Sequence, residues 1–328
     1  MEFFGRKQND EDVSTVFFAT DLHGSEVCWR KFVAAAEFYG ADVLVLGGDF
    51  TGKLVIPIVA RPDNKFTAKL MGKTHQLSSD DLEGFERRVA NMGFYPVTVD
   101  SDRYEELESN RSEVDDLFRE LMTERLMAWI SYAAEKLSSS GVRIYTAPAN
   151  DDPYYIDDVI EQYGSDVLIN VEGKTIEIAP GHPMISTGYT NRTPWNTPRE
   201  FDEEDITSRI DSLINGSVDL DSAILNLHPP PYGTKLDVAP KLTPDLEVVT
   251  SAGATVMENV GSKAVAAALE KHQPMLSLHG HIHEAAGQER IGRTLAINPG
   301  SEYGEGILKG ALIRIGKGRI HSYQATSG

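Results

Sequence analysis

Short apolar runs recur along the chain, and each stops at a polar cluster. Ser14 to Thr20 (Ser-Thr-Val-Phe-Phe-Ala-Thr) is apolar on both sides of an extended backbone, as a strand covered on two faces must be, and it ends at Asp21-Leu22-His23-Gly24. Ala41 to Leu46 ends at Gly47-Gly48-Asp49, and Val142 to Ala147 at Pro148-Ala149-Asn150-Asp151-Asp152-Pro153. Ser222 to Leu227 runs into His228 and three prolines, and Pro274 to Leu278 into His279-Gly280-His281-Ile282-His283. Between these runs the period lengthens to that of a helix. Val27, Phe32, Val33 and Ala36 share one face after Ser25, a plausible N-cap. Tyr155 to Tyr163, Asp202 to Leu213 and Ser262 to His272 read as further helices, and Thr294 to Ile297, Gly310 to Ile315 and Arg319 to Tyr323 as short strands. Strands alternating with helices predict an α/β fold with parallel strands.

Residues 53–128 break that rhythm. Leu54 to Val59 and Lys65 to Met71 predict a hairpin, Ser79 to Met92 a helix capped by Ser78 or Ser79, and Glu105 to Leu137 one long helix with room for an interruption. Val114, Leu117, Phe118, Leu121, Met122, Leu126, Ile130 and Leu137 lie near a 3.6 period, a core stripe. The segment is expected to be a hairpin and helical insertion that flanks the cleft, within a single domain spanning 1–328. Further strands are expected near Val167 to Ile169, Thr175 to Ile178 and Pro183 to Ser186, with Gly188 to Glu200 as a loop.

Composition narrows the partners. The 328 residues are 41% hydrophobic, enough for a sizeable core, and carry a net charge of −19 from 31 basic and 50 acidic residues. Such a charge opposes general nucleic-acid binding or an anionic membrane surface, although bound metal ions can reverse the sign locally. Cys28 is the only cysteine, so there is no disulfide framework and no thiolate metal cluster. Met1 to Val13 is polar and charged with no apolar h-region, and no apolar run spans a bilayer. A cytoplasmic protein is expected.

Five strand ends carry ligand-type residues: Asp21 and His23, Asp49, Asn150, His228, and His281 with His283. Open α/β sheets place ligand groups at the carboxyl ends of their strands. Taken singly, each is explained by a turn or a helix cap. Together, seven nitrogen and oxygen donors without sulfur suit a pair of divalent metals, with Asp49 as the natural bridging carboxylate. In an extended segment His281 and His283 project to the same side, and Gly280 allows close backbone approach.

The order Asp21-Leu22-His23, Gly48-Asp49, Asn150-Asp151, His228, then Gly280-His281-Ile282-His283 resembles the calcineurin-like metallophosphoesterases, over residues 15–300. Asn298-Pro299-Gly300-Ser301 and the segment from Gly188 through Glu200 are similar to a small branch of predicted phosphoesterases with unassigned substrate. The resemblance implies a four-layer sandwich: two mixed sheets face to face, helices outside. It implies that Asp21, His23 and His283 hold one metal and Asn150, His228 and His281 the other, with Asp49 bridging. The ions would be Mn, Fe, Zn, Co or Ni, and they would share a hydroxide that attacks a phosphodiester or phosphomonoester. His279 falls outside that ligand set.

Many members of that family have Asn-His in the third motif, where the His protonates the leaving oxygen; this chain has Asn150-Asp151. Asp151 is the candidate replacement, or else an orienting group. Asp152, His182, Asn191 and Arg199 are candidate substrate residues, for each of which a turn, a salt bridge or a solvated loop is the plainer reading. His75, His272 and His321 lie away from the motifs. The expected partner is a small phosphoester, nucleotides included. The competing reading is a binding or scaffold protein that kept the fold with weak or no catalysis, motivated by Asp151 and the acidic surface.

Overall fold

The computed structural model describes residues 13–164, 166–214 and 218–328; the expectation for Met1 to Val13 lies almost wholly outside them. The chain opens with β1 (Ser14–Ala19), α1 (Glu26–Tyr39) and β2 (Val43–Leu46). Four strands and three helices follow: β3 (Val55–Arg61), β4 (Lys65–Leu70), β5 (Lys73–Ser78), α2 (Ser79–Asn91), β6 (Tyr95–Val99), α3 (Ser101–Ser109) and α4 (Arg111–Leu137). Next come β7 (Arg143–Thr146), α5 (Tyr155–Tyr163), β8 (Leu168–Asn170), β9 (Lys174–Ala179), β10 (His182–Thr187), β11 (Thr190–Asn191), β12 (Glu200–Phe201), α6 (Glu203–Leu213) and β13 (Ile224–Leu227). The last part holds β14 to β17 (Val238–Pro240, Thr250–Ser251, Ala254–Thr255, Met257–Asn259), α7 (Lys263–His272), β18 (Leu276–Leu278), β19 (Gly287–Ile291), β20 (Thr294–Asn298), β21 (Lys309–Gly316) and β22 (Arg319–Ser327). No helix among the described residues is long and apolar enough to cross a membrane.

The fold is mixed α/β, with two six-stranded mixed sheets ordered β22-β21-β1-β2-β7-β8 and β19-β20-β18-β13-β10-β9. β1, β2, β7 and β8 run parallel in the first, and β10, β13, β18 and β20 in the second. Parallel strands put their carboxyl ends on one edge, which is how residues far apart in sequence come to share a site. The period of two along each strand sorts side chains into different cores. Val16 and Phe18 of β1 join Val43 and Val45 of β2 and Ile224, Leu276, Leu278, Leu295 and Ile297 of the second sheet. Phe17, Ala19, Leu44 and Leu46 face the other way, against Trp29 and Phe32 of α1 and Trp129 and Ile130 of α4. Leu225, Leu227 and Ala296 pack on α6 and α7.

The 53–128 segment is more than a hairpin. β5, β4, β3 and β6 form a four-stranded sheet, with α2 packed on it through Phe85 and Val89 against Ile56, Ile58, Ala68 and Leu70. Both strands missing from the sequence reading lie at its edges. β5 (Lys-Thr-His-Gln-Leu-Ser) has little to bury, and β6 contains Pro96, which an edge tolerates because one side of the strand needs no donor. Ser78 caps α2 in a capping box with Asp81. The long helix breaks at Asn110, whose side chain accepts from Ser112 N and starts α4 afresh. Ser25 precedes α1 as expected, but its hydroxyl donates to Asn91 O at the end of α2 and not to its own helix. The ends of the expected 188–200 loop are also paired, Thr190 with Glu200 and Asn191 with Phe201.

Candidate metal centre

Asp21, Asp49, Asn150, His228 and His281 each follow closely on the carboxyl end of a parallel strand, respectively β1, β2, β7, β13 and β18. The first four are essentially buried; His281 and His283 are partly exposed. Asp21, His23, Asp49 and His281 all adopt positive φ, between 42° and 66°. For non-glycine residues that conformation costs free energy, and it persists where surrounding structure overrides it, most often at functional sites.

The histidine stretch does not continue as a strand. β18 stops at Leu278, and the chain turns so tightly that a Cβ on Gly280 would collide with Asp21 Oδ2 and Thr20 Oγ1. Only glycine fits there, and the turn lets His281 N donate to both Asp21 oxygens at 3.2 and 3.1 Å. Asn298 holds the turn from behind, its Nδ2 donating to Gly280 O (3.3 Å) and Ile282 O (2.9 Å). The expected side-by-side projection of His281 and His283 therefore gives way to a turn that sends the two rings to different partners.

Ligand atoms of Asp21, His23 and His283 lie within 4.8 Å of one another, as do those of Asp49, His228 and His281, and of His23, Asp49 and Asp151. His23 Nε2 and His283 Nε2 face each other at 3.1 Å, with Asp21 Oδ1 at 3.2 Å from the latter. His228 Nε2 is 3.3 Å from Asp49 Oδ2 and 3.7 Å from Asp21 Oδ1. Its Nδ1 donates to Gly47 O (2.9 Å), which turns the Nε2 lone pair toward the carboxylates. Asn150 spends its amide Nδ2 on Thr197 Oγ1 (3.0 Å), leaving Oδ1 buried and without a partner. His228 Nε2 is likewise buried and without a hydrogen bond. Buried polar atoms are normally satisfied, so these two orphaned atoms, of which His228 Nε2 lies beside two carboxylates, fit a site that takes a cation.

Carboxylates and imidazoles at the centre shift one another's ionisation. Burial works against the charge on Asp21, yet His228, His283 and His23 hold its carboxyl below the ordinary range. Burial and the neighbouring Asp151 push Asp49 up. His228 is pushed up to about 9 by Asp49 and Asp21 against the effect of burial, whereas burial and His228 push His281 down to about 3. Burial and Lys53 hold His23 well below its ordinary value, which favours the neutral imidazole that ligates metals.

Other sequence candidates fall elsewhere. Asp152 is buried and fastens two loops: Oδ1 accepts from Thr51 N (2.9 Å) and Oγ1 (2.7 Å), Oδ2 from Ala149 N (2.9 Å). Arg199 is not free for substrate, because its buried guanidinium donates to Asp152 O, Pro153 O and Asp157. His182 opens β10, at the end of that strand opposite the centre, and its Nδ1 lies 2.9 Å from Ser222 O. Asn191 Nδ2 donates to Val260 O at 3.1 Å. His279 is buried between Ser277 Oγ, Leu227 O and Pro229 O. His75 lies against Phe85, His272 faces Asp211, and His321 faces Gly316 O.

The structure also brings in residues that the strand-end pattern passes over. Lys53 pairs with Asp151, and the Tyr303 ring lies 4.6 Å from His23 and 5.9 Å from His283 between ring centres. Glu200 accepts from Thr193 and Thr197, both backbone and hydroxyl, and so orients the group that holds Asn150. Lys53 was visible as the only cation within five residues of Asp49; Thr197 and Glu200 carried no signal apart from their loop.

No protein-family model matches the chain. It is 30% identical over 169 residues to the uncharacterized protein MJ1162 of Methanocaldococcus jannaschii, spanning 50% of this chain and 68% of that protein. Crystal structures share the fold at low identity. TT1561 of Thermus thermophilus superposes with a TM-score of 0.50 at 14% identity, over 96% of this chain and 98% of that one. A second superposes with a TM-score of 0.55 at the same identity and coverage. Likeness at 14% identity speaks to fold alone.

Proposed function

The chain belongs to the same family as protein MJ1162 of Methanocaldococcus jannaschii, and we propose that it is a dinuclear metal-dependent phosphoesterase. The observation that carries this reading is the convergence of two ligand sets, Asp21–His23–His283 and Asp49–His228–His281, together with the buried, unpartnered Oδ1 of Asn150. Asp49 is the bridging carboxylate in this reading. The donors are nitrogen and oxygen only, and the chain's single thiol, Cys28, is buried in a helix–sheet core. The sorting of side chains into helix–sheet, sheet–sheet and sheet–helix cores supports a four-layer sandwich in one domain, with the 53–128 segment inserted.

When bound, two divalent ions supply Lewis acidity: they make water available as a nucleophile near neutral pH and offset charge on phosphoryl oxygens. The chain's own residues hold that arrangement. Gly47 O fixes the His228 ring, Thr197 fixes the Asn150 amide, and the backbone amides of His281 and Asp151 fix Asp21 and Asp49. Burial keeps bulk water from competing. Substrate enters from the side where His283, Asp151 and Lys53 remain partly exposed. A small phosphomonoester or phosphodiester, nucleotides included, suits that opening.

The test is metal analysis of the purified chain, followed by assays on mono- and diester panels with Mn²⁺. About two ions per chain and metal-dependent phosphate or alcohol release are expected. Two ions bound with no ester cleaved under any metal would leave the binding-protein reading standing instead.

A further inference from the structure

Lys53 lies four residues past Asp49, where the chain leaves β2 for the inserted sheet. Its ammonium group pairs with Asp151 Oδ2, while the other ion pairs of Asp21, Asp49 and Asp151 are with imidazoles. Asp151 is held rigidly for that contact: its N donates to Asp49 Oδ1 (2.9 Å) and its Oδ1 accepts from Asn150 Nδ2 (3.2 Å). The Lys53 side chain is 45% exposed and Asp151 15%, so the pair stands with His283, 27% exposed, at the open side of the centre. The Tyr303 ring, packed on His23 and His283, walls the same opening.

We propose that Lys53 is the residue that receives a phosphoryl oxygen of the substrate, and that Asp151 holds the ammonium group in position for it. The proposal rests on the dinuclear reading above. A flexible lysine stem lets the ammonium move from the carboxylate to an arriving anion as a point charge. Charge then selects the substrate. Lys53 adds one positive charge at the opening, and a phosphate monoester dianion gains more from it than a singly charged diester does. Lys53 therefore shifts preference toward the monoester and is the specificity-determining residue.

The experiment uses the full chain loaded with Mn²⁺, as wild type, Lys53→Met and Lys53→Arg. Manganese stoichiometry is measured first, then inorganic phosphate binding by calorimetry, then kcat/KM on a monoester and a diester with the same leaving group. Lys53→Met is expected to bind phosphate about tenfold to a hundredfold more weakly at unchanged manganese content, from loss of a charge-assisted hydrogen bond. Lys53→Arg should recover most of that affinity, and Lys53→Met should lower the monoester rate more than the diester rate. Equal phosphate affinity in wild type and Lys53→Met, no phosphate binding by the wild type, an equal fall for both esters, or loss of manganese from Lys53→Met would overturn the proposal. Failure of the wild type to cleave any ester would overturn the phosphoesterase reading alone, since the phosphate isotherms still decide the role of Lys53.

Discussion

Thr197 shows how much a single hydroxyl controls. It accepts from Asn150 Nδ2 and donates to Glu200 Oε1, so it helps set the orientation of the Asn150 amide. Thr197→Val keeps the volume and removes both bonds. Weaker binding of the second manganese ion is expected, by roughly tenfold to a hundredfold, with Thr197→Ser close to wild type. Titration calorimetry with Mn²⁺ decides it; two equal isotherms for wild type and the valine variant would refute the orienting role. Glu200 itself opposes burial through its bonds to Thr193 and Thr197, which hold its carboxyl below the ordinary value of 4.5. A lowered folded-state pKa means that stability is fully present above about pH 4.5 and is lost as pH falls through the folded value. Glu200→Gln should cost about 1–3 kcal/mol near neutral pH and make the acid limb of the stability curve shallower. Urea unfolding from pH 3 to 7 tests this, and parallel curves for the two proteins would count against it.

At the scale of elements, the insertion bears directly on the centre. Gly93, between α2 and β6, adopts φ +88°, and a Cβ there would collide with His23 O. Gly93→Ala should cost about 1–3 kcal/mol by strain alone and weaken metal binding by displacing the His23 loop. Gly84 lies in the middle of α2 with open space around it, so Gly84→Ala should stabilise by about 0.5–1 kcal/mol. Denaturant midpoints and metal titrations of the two variants separate these effects; a neutral Gly93→Ala would show that the insertion does not press on the centre. The strands of the two large sheets that bury both faces were legible from their apolar runs: β1, β2, β7, β13 and β18. Among those that escaped, β5, β6 and β19 are edge strands with polar or proline-containing sequences, because an edge buries little. The interruption was expected, but its position at Asn110 escaped because only a side-chain cap marks it, with no glycine or proline nearby.

For the whole molecule, metal and stability should be coupled. Buried carboxylates and imidazoles lie at 3.1–4.0 Å from one another around the centre, and ions that bind only the folded chain stabilise it by mass action. Removing bound metal with a chelator should lower the melting temperature by several degrees, since saturation a hundredfold above the dissociation constant is worth about 2.7 kcal/mol. Identical melting curves with and without chelator would argue against metal sites in the folded protein. By itself the sequence determined the parallel α/β pattern, the strand ends that carry ligand-type residues, and the choice of nitrogen and oxygen donors, because burial and side-chain chemistry are local properties of each run. Only the tertiary structure decided that those ends converge, that Gly280 turns the histidine stretch to divide His281 from His283, that Arg199 and Asp152 fasten loops, and that Lys53 stands at the opening. Those outcomes depend on distances between segments far apart in the chain, such as the 260 positions between His23 and His283, and no periodicity encodes them.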